Sequence, residues 1–206
     1  EALLDALEVP RGTQPTYIGL ALATTSTVKP PPTFGLPRAL TSFIGREKEQ
    51  ASIIALLQRK TASLVTLTGP GGVGKTRLAL QVAGQQTACR DGVYCVDLAP
   101  IADPLLAPQA LISALDVRDG AGRTPLDAAT DHLAGRNVLL VLDNCEHLIE
   151  ACSQLAHHLL IHCPQVRILA TSREALGIAG EVIYPVPTLT LPDPSHLPPL
   201  DALSRY

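Results

Sequence analysis

The sequence predicts an α/β fold of three layers built on a five-stranded parallel sheet, preceded by a proline-rich linker. Three observations predict it. Short apolar runs alternate with stretches of helical spacing from residue 46 to residue 186. A glycine-rich loop, Gly69-Pro70-Gly71-Gly72-Val73-Gly74-Lys75-Thr76, joins one such run to one such stretch. A third run, Val138-Leu139-Leu140-Val141-Leu142, ends in an acid, Asp143. Strand and helix in strict alternation give a parallel sheet with helices on both faces.

The loop matches the P-loop pattern G-x-x-x-x-G-K-[ST] at every fixed position. Leu64 to Thr68 before it is a β-branched run and reads as a buried strand. After it, apolar residues at 78, 79, 82 and 83 have helical spacing. Three glycines let backbone N–H groups approach phosphate oxygens, and the following helix turns its positive end to the same anion. Lys75 supplies a charge for the β- and γ-phosphates, and the Thr76 hydroxyl is placed to ligate Mg²⁺. A chance match in a glycine-rich turn is the bland alternative, and the strand–loop–helix context argues against it.

The other elements follow in order. Residues 1 to 9 read as the end of an upstream helix. Residues 10 to 35 read as a linker, rich in Pro, Thr and Ser. A weakly alternating strand at 17 to 23 is the alternative. Gly45 marks a turn, and Ile53, Ile54 and Leu57 line one face of a helix from Arg46 to about Arg59. Gly92 to Leu98 reads as a second strand. Asp103 and Pro104 open a helix to about Val117, and Thr124-Pro125 opens another to about Ala134. Leu148 to Cys163 is amphipathic. Val166 to Thr171 and Val182 to Val186 complete the sheet. The nucleotide-binding domain is expected over residues 36 to 192. Residues 193 to 206 read as the start of a helical subdomain that the chain does not complete. Beginning at Glu1 with no Met, the chain is expected to be a fragment or processed form.

A strand that delivers an acid to the sheet's C-terminal edge suits a magnesium-holding residue, so Asp143 joins Thr76 as a metal candidate. A helix-capping Asp is its plainer alternative. Arg173 lies just past a strand end and reads equally as a phosphate sensor or a surface arginine. His158, His162, Cys145, His147 and Cys163 are close enough in sequence to suggest zinc, but their spacing fits no ligand pattern, and solvated histidines are the better reading.

A net charge of −3 gives no basic field for nucleic acid. No apolar run reaches the roughly 18 residues of a membrane helix. Five irregularly spaced cysteines fit reduced thiols, and so a cytoplasmic location.

The segments LTSFIGREKE, LVTLTGPGGVGKTRLALQVA, NVLLVLDNCEHL and RILATSREALGIAGEVIYPV together resemble the nucleotide-binding domain of bacterial STAND ATPases. These are relatives of NB-ARC domains, and the likeness is strongest to the ATPase core of LuxR-type and SARP-type transcriptional regulators. The resemblance implies a P-loop NTPase fold with ATP or ADP and Mg²⁺ as cofactors. It places Phe43, Ile44 and Arg46 near the adenine, Asp143 at the magnesium ion and Arg173 at the γ-phosphate. Many relatives carry a second acid directly after that aspartate, where this chain has Asn144. Glu146 is then the candidate base for the attacking water, or else a helix N-terminal acid favoured by the dipole.

The implied function is a slow, ATP-operated switch in a larger signalling or transcriptional regulator, with helical, winged-helix and repeat domains beyond the chain and nucleotide-dependent self-association. The alternatives are a module that holds nucleotide without hydrolysis, and an AAA+-type motor.

Overall fold

The computed structural model describes residues 33–34, 36–37, 41–59, 61–118 and 122–188. The expectations for residues 1 to 9, the alternative strand at 17 to 23, and residues 193 to 206 fall outside these. Six parallel strands form one sheet: β1 (Thr33–Phe34), β2 (Leu64–Thr68), β3 (Gly92–Asp97), β4 (Val138–Asp143), β5 (Arg167–Ser172) and β6 (Glu181–Pro185). Their spatial order is β1-β3-β4-β5-β2-β6. The five long strands are those the sequence predicts. The two-residue β1 is an addition, lying within the span read as linker and pairing with Val93 and Tyr94 at the sheet edge. A strand this short carries no periodicity from which it could be read.

Among the described residues five α-helices accompany the sheet: α1 (Glu47–Gln58), α2 (Lys75–Gly84), α3 (Ala107–Ala114), α4 (Pro125–Leu133) and α5 (Ile149–His162). Helix α3 begins later than its sequence suggests. Asp103 does cap, accepting the N–H of Leu105 at 3.0 Å, but the turn it caps is a 3₁₀ helix, Pro104–Leu106. Helix α4 opens as a full capping box. The Thr124 hydroxyl accepts the Asp127 N–H at 3.1 Å, and the Asp127 carboxylate accepts the Thr124 N–H at 3.4 Å. The Thr124 bonds also hold the Asp127 carboxyl below the usual carboxylate range.

Alternate residues of the central strands go to opposite faces, so each face builds its own core. Leu140 and Leu142 of β4, with Ile168 and Ala170 of β5, pack under α3, α4 and α5. Leu139 and Val141, with Val65, Leu67 and Leu169, pack under α1 and α2. That double burial is why β4 reads as an unbroken apolar run rather than an alternation. Cys145, Cys152 and Cys163 belong to the first core, and all five cysteines are free thiols. Among the described residues no three His, Cys, Asp or Glu side chains gather to hold a metal, which removes the zinc alternative for His158, His162, Cys145, His147 and Cys163. Instead, His158 stacks on His162 with centroids 4.1 Å apart and lies 3.2 Å from the Thr130 hydroxyl. No helix among the described residues is long and apolar enough to cross a membrane.

The strand order sets the site. The chain leaves β2, passes over β5 and β4 to reach β3, and returns, so direction reverses at the β2–β5 seam. In open α/β sheets ligands bind in the crevice outside the strand C-termini at such a point. Leu140 sits at the centre of the buried sheet, fully excluded from solvent. Leu140→Ala should cost about 3 kcal/mol in denaturant unfolding. Ile183→Ala on edge strand β6, where the side chain is 51% exposed, should cost under about 1 kcal/mol.

Candidate nucleotide-binding site

The glycine loop leaves β2 and wraps the first turn of α2. Gly72 and Gly74 have φ of 79° and 90°, a region that glycine enters at no steric cost. No side chain among the described residues caps α2, whose N-cap is Gly74 of the loop. Lys75 is 8% exposed, and its Nζ donates to the carbonyls of Gly69 at 2.8 Å and Pro70 at 3.1 Å. The ammonium is thus held inside the loop it serves.

Asp143 reaches this loop from β4, two strands away. Thr76 Oγ1 donates to Asp143 Oδ1 at 2.7 Å. The strand between them, β5, contributes Thr171, whose Oγ1 donates to the same oxygen at 2.6 Å. The chain then turns at Asn144, which is left-handed at φ 65° and ψ 52°, and enters a 3₁₀ turn, Cys145–His147. That turn carries Glu146 to the residue just past β5, where Arg173 Nε donates to Glu146 Oε1 at 3.0 Å. Arg173 also overhangs the loop, its guanidinium 3.7 Å from where a Cβ on Gly71 would stand.

Lys75, Thr76, Arg77, Asn144, Glu146 and Thr171 line one cavity of about 210 Å³ together with the loop glycines. A larger surface cavity, about 610 Å³, lies at the opposite sheet edge beside Asp91, Asn137 and Gln165. It has no glycine loop, so volume alone does not locate the site. Near Asp143, Cys95 is pushed up to about 12, by burial first and then by the carboxylates of Asp143 and Asp97. Its thiol is therefore protonated at neutral pH and is no nucleophile.

The segment before α1 is tied to the loop by two arginines. Arg46, itself left-handed at φ 61°, donates from one Nη to Val73 O at 2.9 Å and Pro187 O at 3.0 Å. Its other Nη is buried without a partner among the described residues. Arg77 donates to Thr41 Oγ1 at 2.9 Å and Ser42 O at 3.0 Å, and lies 5.9 Å from the Phe43 ring centre. Phe43 packs against the α1–α2 core. Ile44, in contrast, is 71% exposed. A second hollow of about 300 Å³ borders Pro70, Gly71, Gly72, Val73 and Thr188.

The structure therefore brings Lys75, Thr76, Asp143, Glu146 and Arg173 together at one edge, with Arg46 behind the loop. A family model described as an AAA domain matches residues 58–178, more than half of the chain. The chain belongs to this AAA domain family. The match includes the glycine loop, Asp143, Glu146 and Arg173, and leaves Phe43, Ile44 and Arg46 outside it.

This AAA domain is 47% identical over 130 residues to a Mycobacterium tuberculosis protein whose name describes an HTH-type transcriptional regulator, Rv0890c, covering 63% of this chain and 15% of that protein. It is 43% identical over 155 residues to the uncharacterized protein Rv0894 of the same organism, covering 75% of this chain and 39% of that one. It is 32% identical over 158 residues to the regulatory protein AfsR of Streptomyces griseus, covering 70% of this chain and 16% of that one. The chain thus spans well under half the length of each of these relatives. Among solved structures, a STAND protein with a tetratricopeptide repeat sensor from Pyrococcus horikoshii aligns with a TM-score of 0.48 at 18% identity, covering 75% of this chain and 24% of that one.

Sequence reasoning missed Thr171, Arg77 and His147 at this site. Thr171 becomes visible only once β5 is known to lie between β2 and β4. The Arg173–Glu146 pair is open to water, with Arg173 68% exposed and Glu146 18%. Such a pair contributes little to stability. Arg173→Ala should therefore shift the unfolding free energy by less than about 1 kcal/mol in chemical denaturation. A larger loss would mean that Arg173 is part of the scaffold.

Proposed function

We propose that this AAA domain is the nucleotide-operated switch of a larger regulator, binding ATP or ADP with Mg²⁺ and hydrolysing ATP slowly. The observation that carries it is the meeting of Thr76 and Asp143 at 2.7 Å in the mouth of the glycine loop. One hydroxyl and one carboxylate oxygen are the hard donors magnesium selects. The backbone N–H groups of the loop and of the start of α2, with Lys75, suit the phosphates. Thr76 and Asp143 would hold a magnesium ion, and the chemistry it would supply is neutralisation of phosphate charge. Phe43, Ile44 and Arg46 are the candidates beside the base, with the hollow next to Val73 as its seat.

Two groups would then distinguish ATP from ADP. Arg173 is exposed and can turn from Glu146 to a γ-phosphate, which offers more negative charge than a single carboxylate. Glu146, once released, can accept a proton from an attacking water. Asn144 has no group able to do so. A base that must first be released suits a slow hydrolase better than a motor, which is the reading Asn144 disfavours. A ligand shifts an equilibrium between conformations only through differential affinity, and Arg173 is where that difference would arise. The regulator role rests on the named relatives, and the output, self-association and neighbouring domains belong to the whole protein.

The pairing of Glu146 with Arg173 also favours a second reading, a module that holds nucleotide and never hydrolyses it. Titrations and turnover assays separate the two. Arg173→Ala should weaken ATP roughly tenfold or more while leaving ADP within about threefold, because it removes a charged hydrogen bond made only to the γ-phosphate. Glu146→Gln should lower turnover at least about a hundredfold with ATP affinity preserved. An unchanged rate would remove Glu146 as the base. No turnover by the wild-type chain within its regulator would leave the holding module.

A further inference from the structure

Thr171 is 1% exposed, near the end of β5 and level with Leu67 of β2. Its hydroxyl joins two groups that no other side chain joins among the described residues. It donates to Asp143 Oδ1 at 2.6 Å and accepts the Asn144 N–H at 2.9 Å. The direction of both bonds is fixed by chemistry. An ionised carboxylate only accepts and an N–H only donates, so the hydroxyl rotor has one orientation.

The second bond ties down Asn144 in a left-handed turn, a conformation that asparagine adopts more readily than most non-glycine residues. The same turn is held from the other side by His147. Its Nε2 lies 2.8 Å from Ile101 O, so Nε2 carries the proton, and Nδ1 then accepts from Asn144 Nδ2 at 3.3 Å. The turn that carries Glu146 is therefore clamped between β5 and the loop after β3. Thr171 is the buried half of that clamp and is also the second hydroxyl on Asp143.

We propose that Thr171 is a positioning residue for the magnesium–nucleotide site: it fixes the rotamer of Asp143 and the left-handed turn that carries Glu146. This rests on the nucleotide reading above. Thr171→Val keeps the branched shape and removes both bonds. Asp143 would then lose one of its two hydroxyl restraints, and the Asn144 N–H would lose its buried acceptor. The phosphate cradle would remain, since the glycine loop, Lys75 and the start of α2 make it. Thr171→Ser keeps the hydroxyl and so should preserve the site.

The test titrates a fluorescent ATP analogue into the 206-residue chain over a series of Mg²⁺ concentrations and in chelator. Thr171→Val should raise the Mg²⁺ concentration for half-maximal effect about tenfold or more, as loss of an outer-shell partner does. Its affinity in chelator should stay within about twofold of wild type, and Thr171→Ser should follow wild type within about threefold. Wild-type Mg²⁺ dependence in Thr171→Val would overturn the proposal. So would an equal loss with and without Mg²⁺ together with a lowered melting temperature, which marks a merely structural residue. Failure of the wild type to bind the analogue, or binding indifferent to Lys75→Ala, would overturn the nucleotide reading itself, and Thr171 with it.

Discussion

One carboxylate oxygen, Asp143 Oδ1, holds the C-terminal edge of the sheet together. It accepts a hydroxyl from the loop after β2 and a hydroxyl from β5, so three strands meet on it. Asp143 also anchors the neighbour on its other side, because its backbone oxygen accepts the Leu98 N–H at 3.1 Å just beyond β3. An apolar strand carries it there. Val138 to Leu142 are all buried, and the run stops one residue before the acid. Both core layers fix the depth of β4, and that depth fixes how far Asp143 stands above the sheet. Packing and site chemistry are one constraint here.

The arrangement around that oxygen separates what is rigid from what can change. Lys75, Thr171 and the strand ends are buried and bonded to backbone or to each other. Arg173 and Glu146 stand at the water's edge, paired with one another at 3.0 Å. Exposed ion pairs exchange partners at small cost. A rigid cradle with one exchangeable pair beside it is what the proposed nucleotide switch would require. The two arginine ties at the other end, Arg46 to Val73 and Pro187 and Arg77 to Ser42, connect the loop to the chain entering and leaving the domain.

Much of this was legible in the sequence, for identifiable reasons. The loop, its strand and its helix follow from local rules, because glycine spacing and apolar periodicity act over a few residues. β4 announced itself by five apolar residues and an acid. The caps at Asp103 and Thr124 were readable for the same local reason, although Asp103 caps a 3₁₀ turn rather than the α-helix itself. What sequence could not give was adjacency. Thr171 matters because β5 lies between β2 and β4, and nothing within a few residues of Thr171 encodes that order. The left-handed turn at Asn144 and the bond from His147 to Ile101 depend on the same long-range placement. β1 was too short to show a pattern. For Ile44 the adenine expectation came from a motif resemblance, and its side chain is largely exposed in the fold.

The most direct measurement is calorimetric titration of Mg·ATP into the wild-type chain and into Lys75→Ala. The account predicts saturable binding by the wild type and a loss of at least about a hundredfold in the variant, since a methyl group supplies neither the charge nor the donors of the Lys75 ammonium. Equal binding by the two proteins, or none by the wild type, would contradict it.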